Sequence, residues 1–230
     1  MNNYLIFRTD RIGDFLVSAI LIRSIKFNDP DSYITVVSSK KNHEYIKSFK
    51  YIDQVVCLDN NFLSKINVIF KLREHKLFQT IIVHDNKNRS KIISRFLNTN
   101  KRIILKDTEK YSHIDIIKHI LSKLNFDFKD KSLNIFDEKR FNKVNKEKYI
   151  LLHFDEKWIH KEYIKKYINI EPSESELTFF LKSLQNKSKK KLVVTSGVKT
   201  PLLLKESIKQ LKNINIEFID KINFIDLEAK

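Results

Sequence analysis

Residues 4–14 read YLIFRTDRIGD, and residues 15–27 continue as FLVSAILIRSIKF. The first four positions are apolar without alternation, the pattern of a strand covered on both faces rather than one. A polar turn with a single glycine, Gly13, follows. The next stretch is apolar around much of a helical circumference and carries the i, i+4 row Val17, Leu21 and Ile25. Strand, turn and helix in that order predict the opening unit of a parallel α/β sheet. The turn then places Arg8, Asp10, Arg11, Gly13 and Asp14 at the carboxyl end of the first strand, the edge of such sheets where ligands bind. It is not a dinucleotide-binding GxGxxG loop, because only one glycine is present.

The same grammar repeats along the chain. Short apolar runs at 33–37, 55–58, 80–84, 102–105, 149–153, 192–195 and 215–219 predict further strands. Helical patterns lie between them. Ile114, Ile117, Leu121 and Leu124 share one face of 113–124; Leu204, Ile208 and Leu211 form another stripe. Ser173 and Glu176 make a capping box directly before Leu177, Phe180, Leu181 and Leu184. The pattern pauses over the charged stretch 125–148. The fold class expected is α/β, with two Rossmann-like parallel-sheet domains. Residues 1–124 form the first, 125–148 a linker, and 149–230 a second that is incomplete, having three strands.

The chain of 230 residues carries 44 Lys+Arg against 28 Asp+Glu, a net charge of +16. That surplus favours anionic partners: nucleic acid, acidic headgroups or phosphorylated substrates. Lys, Asn and Ile abound while Gly and Pro number 2 and 3, a bias that AT-rich coding also produces. The densest basic run, KSKKK at 187–191, falls between a helix and a strand and fits a solvated turn. It has no accompanying nucleic-acid motif, so no nucleic-acid partner is expected. With 42% apolar and 11% aromatic residues, disorder is excluded. The lone Cys57 excludes a disulfide framework and a Cys-based zinc site. The sequence has no membrane-length apolar run and no signal-peptide pattern, which predicts a cytoplasmic protein.

Each candidate residue admits a plainer reading beside the chemical one. Asp14 is either an N-cap of the first helix or a general base, and Gly13 either a positive-φ turn or part of a binding loop. Arg8 and Arg11 either contact anionic groups of a ligand or pair with aspartates at the surface. Ser196 and Gly197 either offer backbone N–H groups to a phosphate or make an ordinary turn. His153 ends a strand and fits a core-edge histidine or a cleft residue. His153 and His160, like His113 and His119, lack the i, i+4 spacing of a helical metal pair, and no metal is expected. Cys57 and Trp158 read as packing, with ligand stacking the second reading for Trp158.

The run R-T-D-R-I-G-D-F-L-V-S at 8–18, with Leu21, Ile22, Ile25, Asp29-Pro30 and the strand at 33–37, resembles the opening of glycosyltransferase family 9. That family contains the ADP-heptose:lipopolysaccharide heptosyltransferases. YILLHFDEKW at 149–158 looks like the first strand of the family's C-terminal domain, and LVVTSG at 192–197 like its next strand and turn. The resemblance implies a two-domain GT-B-like architecture and an inverting transfer that needs no cofactor or metal. It implies a nucleotide-sugar donor and a lipopolysaccharide or other anionic surface-glycan acceptor, with peripheral contact at the inner face of the cytoplasmic membrane. Asp14 would be the catalytic base and Arg8, Asp10, Arg11 and Gly13 the acceptor side. Lys157, Ser196 and Gly197 would hold the donor phosphates. Family members continue into a later D-x-G-x-x-H element that this sequence lacks. The chain is therefore expected to be truncated at its C-terminus. An inactive glycan- or partner-binding module and a basic nucleic-acid-binding protein are the rival readings.

Overall fold

A computed structural model describes residues 1–75, 77–105, 111–135, 148–154, 172–197 and 200–222. The chain divides into two compact units, Met1–Asp137 and Glu138–Lys230.

The first unit is a parallel five-stranded sheet between helices. Its elements run β1 (Asn3–Phe7), α1 (Ile12–Asn28), β2 (Tyr33–Ser38), α2 (His43–Lys47), β3 (Gln54–Cys57), α3 (Phe62–Arg73), β4 (Phe78–Val83), α4 (Asn88–Arg95), β5 (Thr99–Ile104) and α5 (His113–Leu124). Strand order is β3-β2-β1-β4-β5, all parallel, so the chain winds one way from β1 and then returns to its other side. The apolar run of β1 explains its central place. Tyr4 and Ile6 point into one core with Phe15, Leu21, Ile22 and Ile117. Leu5 and Phe7 point into the other, with Val68, Leu72, Ile81 and Ile93. A strand with two cores to fill has no polar face to show.

α1 is likewise buried almost all round. The sheet covers one side, and the stretch after α5 grips another. Asn28 donates to Asp127 O at 2.9 Å, Lys129 to Phe27 O at 3.1 Å, and Arg23 to Lys131 O at 3.2 Å. Phe126, Phe128 and Ile135 pack against the same core. The stretch 125–148, read from its charge as a linker, thus begins as part of the first unit. Phe126, Phe128 and Ile135 are spent on that core, a role that charge density conceals.

The second unit is described over β6 (Tyr149–Phe154), α6 (Glu174–Ser188), β7 (Lys191–Ser196), α7 (Leu202–Lys209) and β8 (Ile216–Ile219). These strands form a parallel sheet in the order β6-β7-β8. Leu177, Leu181, Leu192, Val194, Leu204 and Leu211 form its core. The capping box opens α6 as the sequence predicts: Ser173 Oγ accepts from Glu176 N at 3.2 Å, and Ser173 N donates to Glu176 at 2.7 Å.

With two glycines in the whole chain, left-handed backbone falls to other residues. Asn86, Asn125, Lys189, Asn213 and Lys221 all have positive φ, and Asn125 and Lys189 end α5 and α6. Asparagine tolerates this region best, whereas lysine pays the full Cβ clash.

Candidate functional site

The carboxyl ends of β1, β2, β3 and β4 surround a pocket of about 690 Å³. It lies at the switch point of the strand order, beside β1, as expected for ligand sites in open α/β sheets. Its size falls within the usual range for small-molecule sites. Thr9, Asp10, Arg11 and Asp14 line it from β1 and α1. Ser39, Lys40 and Lys41 follow β2, Leu58, Asp59 and Asn60 follow β3, and Lys87 and Arg89 come from the start of α4 after β4.

Of the five residues placed here by sequence, Asp10, Arg11 and Asp14 line the pocket. α1 begins at Ile12, with Arg11 as its N-cap residue, so Asp14 is the third helical residue and not the N-cap. It still serves the helix start: the Arg11 backbone N–H donates to Asp14 Oδ2 at 3.2 Å. Gly13 is helical too and has no positive φ, so the turn reading for it is corrected. A Cβ added there would meet nothing within 4 Å, leaving the helix start bare beside the pocket.

Arg8 has a different fate. It is 6% exposed and does not line the pocket. Nε donates to Ser18 Oγ at 2.7 Å, and Nη1 to Asp10 Oδ2 at 3.0 Å and His84 O at 3.1 Å. The aspartate pairing foreseen for it is present, but inside the protein. Burial draws its pKa below the usual arginine value, against the pull of Asp10, Asp14 and Asp85. An arginine remains protonated under such a pull, so Arg8 is a buried cation holding the end of β1 to α1 and β4.

Two residues absent from the sequence reading complete this scaffold. Asp85 is buried and accepts from Thr9 N at 3.2 Å, Thr9 Oγ1 at 2.6 Å, Ser90 Oγ at 2.7 Å and Lys87 N at 3.1 Å. It thereby ties the β1 turn to the β4 turn. His84 shares a 2.8 Å bond with Ser18 through Nδ1. Burial first, then the charges of Arg8 and His113, push its imidazole well below the ordinary range. His84 is therefore neutral in the folded protein, whereas the unfolded chain protonates it near about pH 6.5. The stability gained from keeping it neutral is complete above that pH and is lost as pH falls. The slope reaches about 1.4 kcal/mol per pH unit. Urea midpoints measured from pH 7 to 5 are expected to drop for the wild type and to flatten for His84→Asn. Parallel slopes would refute the assignment.

The pocket cations are also unforeseen. Lys87 pairs with Asp10 at 2.7 Å and Lys40 with Asp59 at 2.6 Å; this bond raises the Lys40 pKa and lowers that of Asp59. Arg89 donates to Thr9 Oγ1 at 2.8 Å and to Asn60. Five cationic and three anionic side chains line the space. Asp14 is the carboxylate left over: among the described residues it has no ion pair, and only Oδ2 takes a hydrogen bond. The polar runs SSKK, DNN and DNKNR directly after three expected strands are the available signal for this cluster.

In the second unit, Ser196 and Gly197 end β7, the middle strand. The Ser196 hydroxyl is buried and used internally. It bonds Thr200 Oγ1 at 2.6 Å and Asp220 at 3.3 Å, and accepts from Lys221 N at 3.2 Å. Lys205, 2.8 Å away, chiefly keeps the Asp220 carboxyl below its usual range. A Cβ at Gly197 would meet nothing within 4 Å. His153 bonds Thr195 Oγ1 at 2.9 Å across the two strands. Lys157, Trp158 and His160 lie outside the described residues. Among the described residues, no helix is long and apolar enough to cross a membrane.

No protein-family model matches the sequence, and no curated protein matches it. Solved structures do match. Heptosyltransferase WaaC from E. coli, determined with ADP, superposes with a TM-score of 0.68 at 12% identity, covering 99% of this chain and 78% of that one. The glycosyltransferase family 9 protein from Veillonella parvula gives 0.69 at 12% identity, covering 95% and 70%. The E. coli ADP-heptose LPS heptosyltransferase II gives 0.65 at 13%, covering 99% and 75%. The chain has the GT-B-like fold of the family 9 glycosyltransferases. In that fold the pocket described above sits in the N-terminal unit, on the helix start bearing the R-T-D-R-I-G-D run.

Proposed function

We propose that this protein is a glycosyltransferase that moves a sugar from a nucleotide-sugar to an anionic surface-glycan acceptor, with inversion and without a metal. Asp14 carries the reading. It is the one pocket carboxylate in no ion pair among the described residues, and it stands on an uncluttered helix start. An acceptor hydroxyl must shed its proton as it attacks the anomeric carbon, and a carboxylate within hydrogen-bond reach takes it. Arg11 and Lys41 in the same wall suit an acceptor bearing phosphate or carboxylate groups. Asp10 acts as an acceptor contact, Gly13 leaves room for the approach, and Arg8 works through Asp10 rather than by touching substrate. The donor phosphates fall to Lys157 and the Ser196-Gly197 turn. Since the Ser196 hydroxyl is spent on its neighbours, the turn would contribute backbone N–H groups.

ADP-heptose is the donor to try first, because two of the similar proteins are heptosyltransferases, one of them determined with ADP. The place of action is the cytosolic side of a membrane that carries the acceptor. The internal use of Ser196 also favours a second reading, a glycan- or partner-binding module without transfer. Calorimetric titration of the full chain with a panel of nucleotide-sugars separates the two. Saturable binding of one donor, followed by its transfer to a glycan acceptor, is the expected result. A folded chain that binds none would overturn the transferase reading.

A further inference from the structure

α3 and α4 lie side by side over one face of the first sheet. Val68 and Leu72 of α3 enter the same core as Ile93 of α4 and Leu97 just beyond it. The helices are joined at both ends. Arg89 of α4 donates to Asn60, the residue before the Asn61 cap of α3, and Arg73 of α3 donates to Phe96 O at 3.2 and 3.1 Å. A surface helix with its inward row committed to a core is expected to be polar outside. These two are not. Phe62, Leu63 and Phe70 of α3 are 73%, 71% and 64% exposed, and Ile92 and Phe96 at α4 are 53% and 52% exposed. Leu63 and Phe70 are seven residues apart and Ile92 and Phe96 four, so each pair forms one outward row.

The charge on the same helices is one-sided. α3 and α4 carry Lys65, Lys71, Arg73, Arg89, Lys91 and Arg95, with no aspartate or glutamate. Leu63 also borders the 540 Å³ pocket beside β3, whereas Phe62, Phe70, Ile92 and Phe96 line neither that pocket nor the 690 Å³ one. They form two apolar ridges set among cations.

We propose that the α3–α4 face of the first unit docks onto an anionic lipid bilayer. The large apolar side chains enter the boundary between headgroups and acyl chains, and the lysines and arginines contact the headgroups. A bilayer matches both properties at once, since it offers apolar depth under a negative surface without needing a complementary shape. Asn60 and Arg89, which join the two helices, also line the pocket. Docking therefore holds the pocket rim against the headgroup layer, where a lipid-borne acceptor is presented. That consequence rests on the proposed transfer reaction, whereas the docking does not.

The test is co-sedimentation of the full chain with phosphatidylcholine vesicles and with equimolar phosphatidylcholine–phosphatidylglycerol vesicles, without substrate. Binding to the anionic vesicles alone, weakened by added salt, is expected. Leu63→Asp/Phe70→Asp and Lys91→Glu/Arg95→Glu are each expected to lower it about tenfold or more. All four positions face solvent or its edge, and unchanged melting curves would confirm that the variants fold. If the aspartates disturb folding, Leu63→Ser/Phe70→Ser replaces them. No binding to anionic vesicles, or binding indifferent to both variants, would overturn the proposal. So would a dimer in light scattering that the Leu63/Phe70 variant abolishes without any vesicle binding, since a second copy would then cover the face. Vesicle binding that persists while sugar transfer is absent would defeat only the transfer reading.

Discussion

Asp14→Asn is expected to slow sugar transfer by about 10²–10⁴-fold, the usual contribution of a positioned general base. That corresponds to about 3–5 kcal/mol of barrier. The substitution is close to a test of charge alone. Asparagine keeps a side-chain oxygen able to accept from the Arg11 N–H, so the start of α1 retains its cap. Lost macrodipole stabilisation is worth about 0.3–1 kcal/mol, too little to unfold the chain. Donor affinity is expected to stay within a factor of two or so, since the role assigned to Asp14 is proton transfer and not donor binding. Asp10 and Asp59 are the natural substitutes for a missing base. Both are already occupied by lysines, Asp10 by Lys87 and also Arg8, and Asp59 by Lys40, whose bond holds the Asp59 carboxyl below its usual range. Transfer at wild-type rate by Asp14→Asn would remove Asp14 from the mechanism.

Arg8→Ala is expected to destabilise the first unit by about 3 kcal/mol, within the range for breaking a buried, hydrogen-bonded ion pair. Three donated bonds disappear together, to Ser18, Asp10 and His84 O. Lysine cannot replace them, because a single ammonium does not span the planar fork that reaches all three. Arg8→Lys is therefore expected to recover less than half of the loss in urea midpoint. A second readout separates this network from simple loss of packing. The Arg8 charge helps keep His84 unprotonated. Its removal should raise the His84 pKa, visible as a shifted imidazole titration by NMR. A urea midpoint unchanged by Arg8→Ala, or an unmoved His84 titration, would show that the network is not what holds the strand end.

How much of this could be read beforehand depended on how local the cause was. All eight expected strands are present, because a buried parallel strand writes itself as a short continuous apolar run. α5 and the capped start of α6 were equally plain, since periodicity and Ser173/Glu176 are local signals. α2, α3 and α4 leave no such signal in the sequence. They are short, or carry apolar residues on both the core and the solvent side, so no single amphipathic stripe marks them. The apolar pattern points to Phe15 as the start of α1, whereas the helix begins at Ile12. Arginine and glycine at its first positions signal a turn, and the cap comes from Asp14 reaching back.

The site divides along the same line. The sequence alone settled that a parallel sheet presents the R-T-D-R-I-G-D run at a carboxyl edge, because strand, turn and helix follow from neighbouring residues. It could not tell Arg8 from Arg11. The two lie three positions apart, yet Arg8 is 6% exposed and held, while Arg11 is exposed and faces the pocket. That difference rests on partners 10 and 76 residues away, Ser18 and His84. Only the assembled sheet brings them within hydrogen-bond reach, and only their bonds make burying a guanidinium affordable.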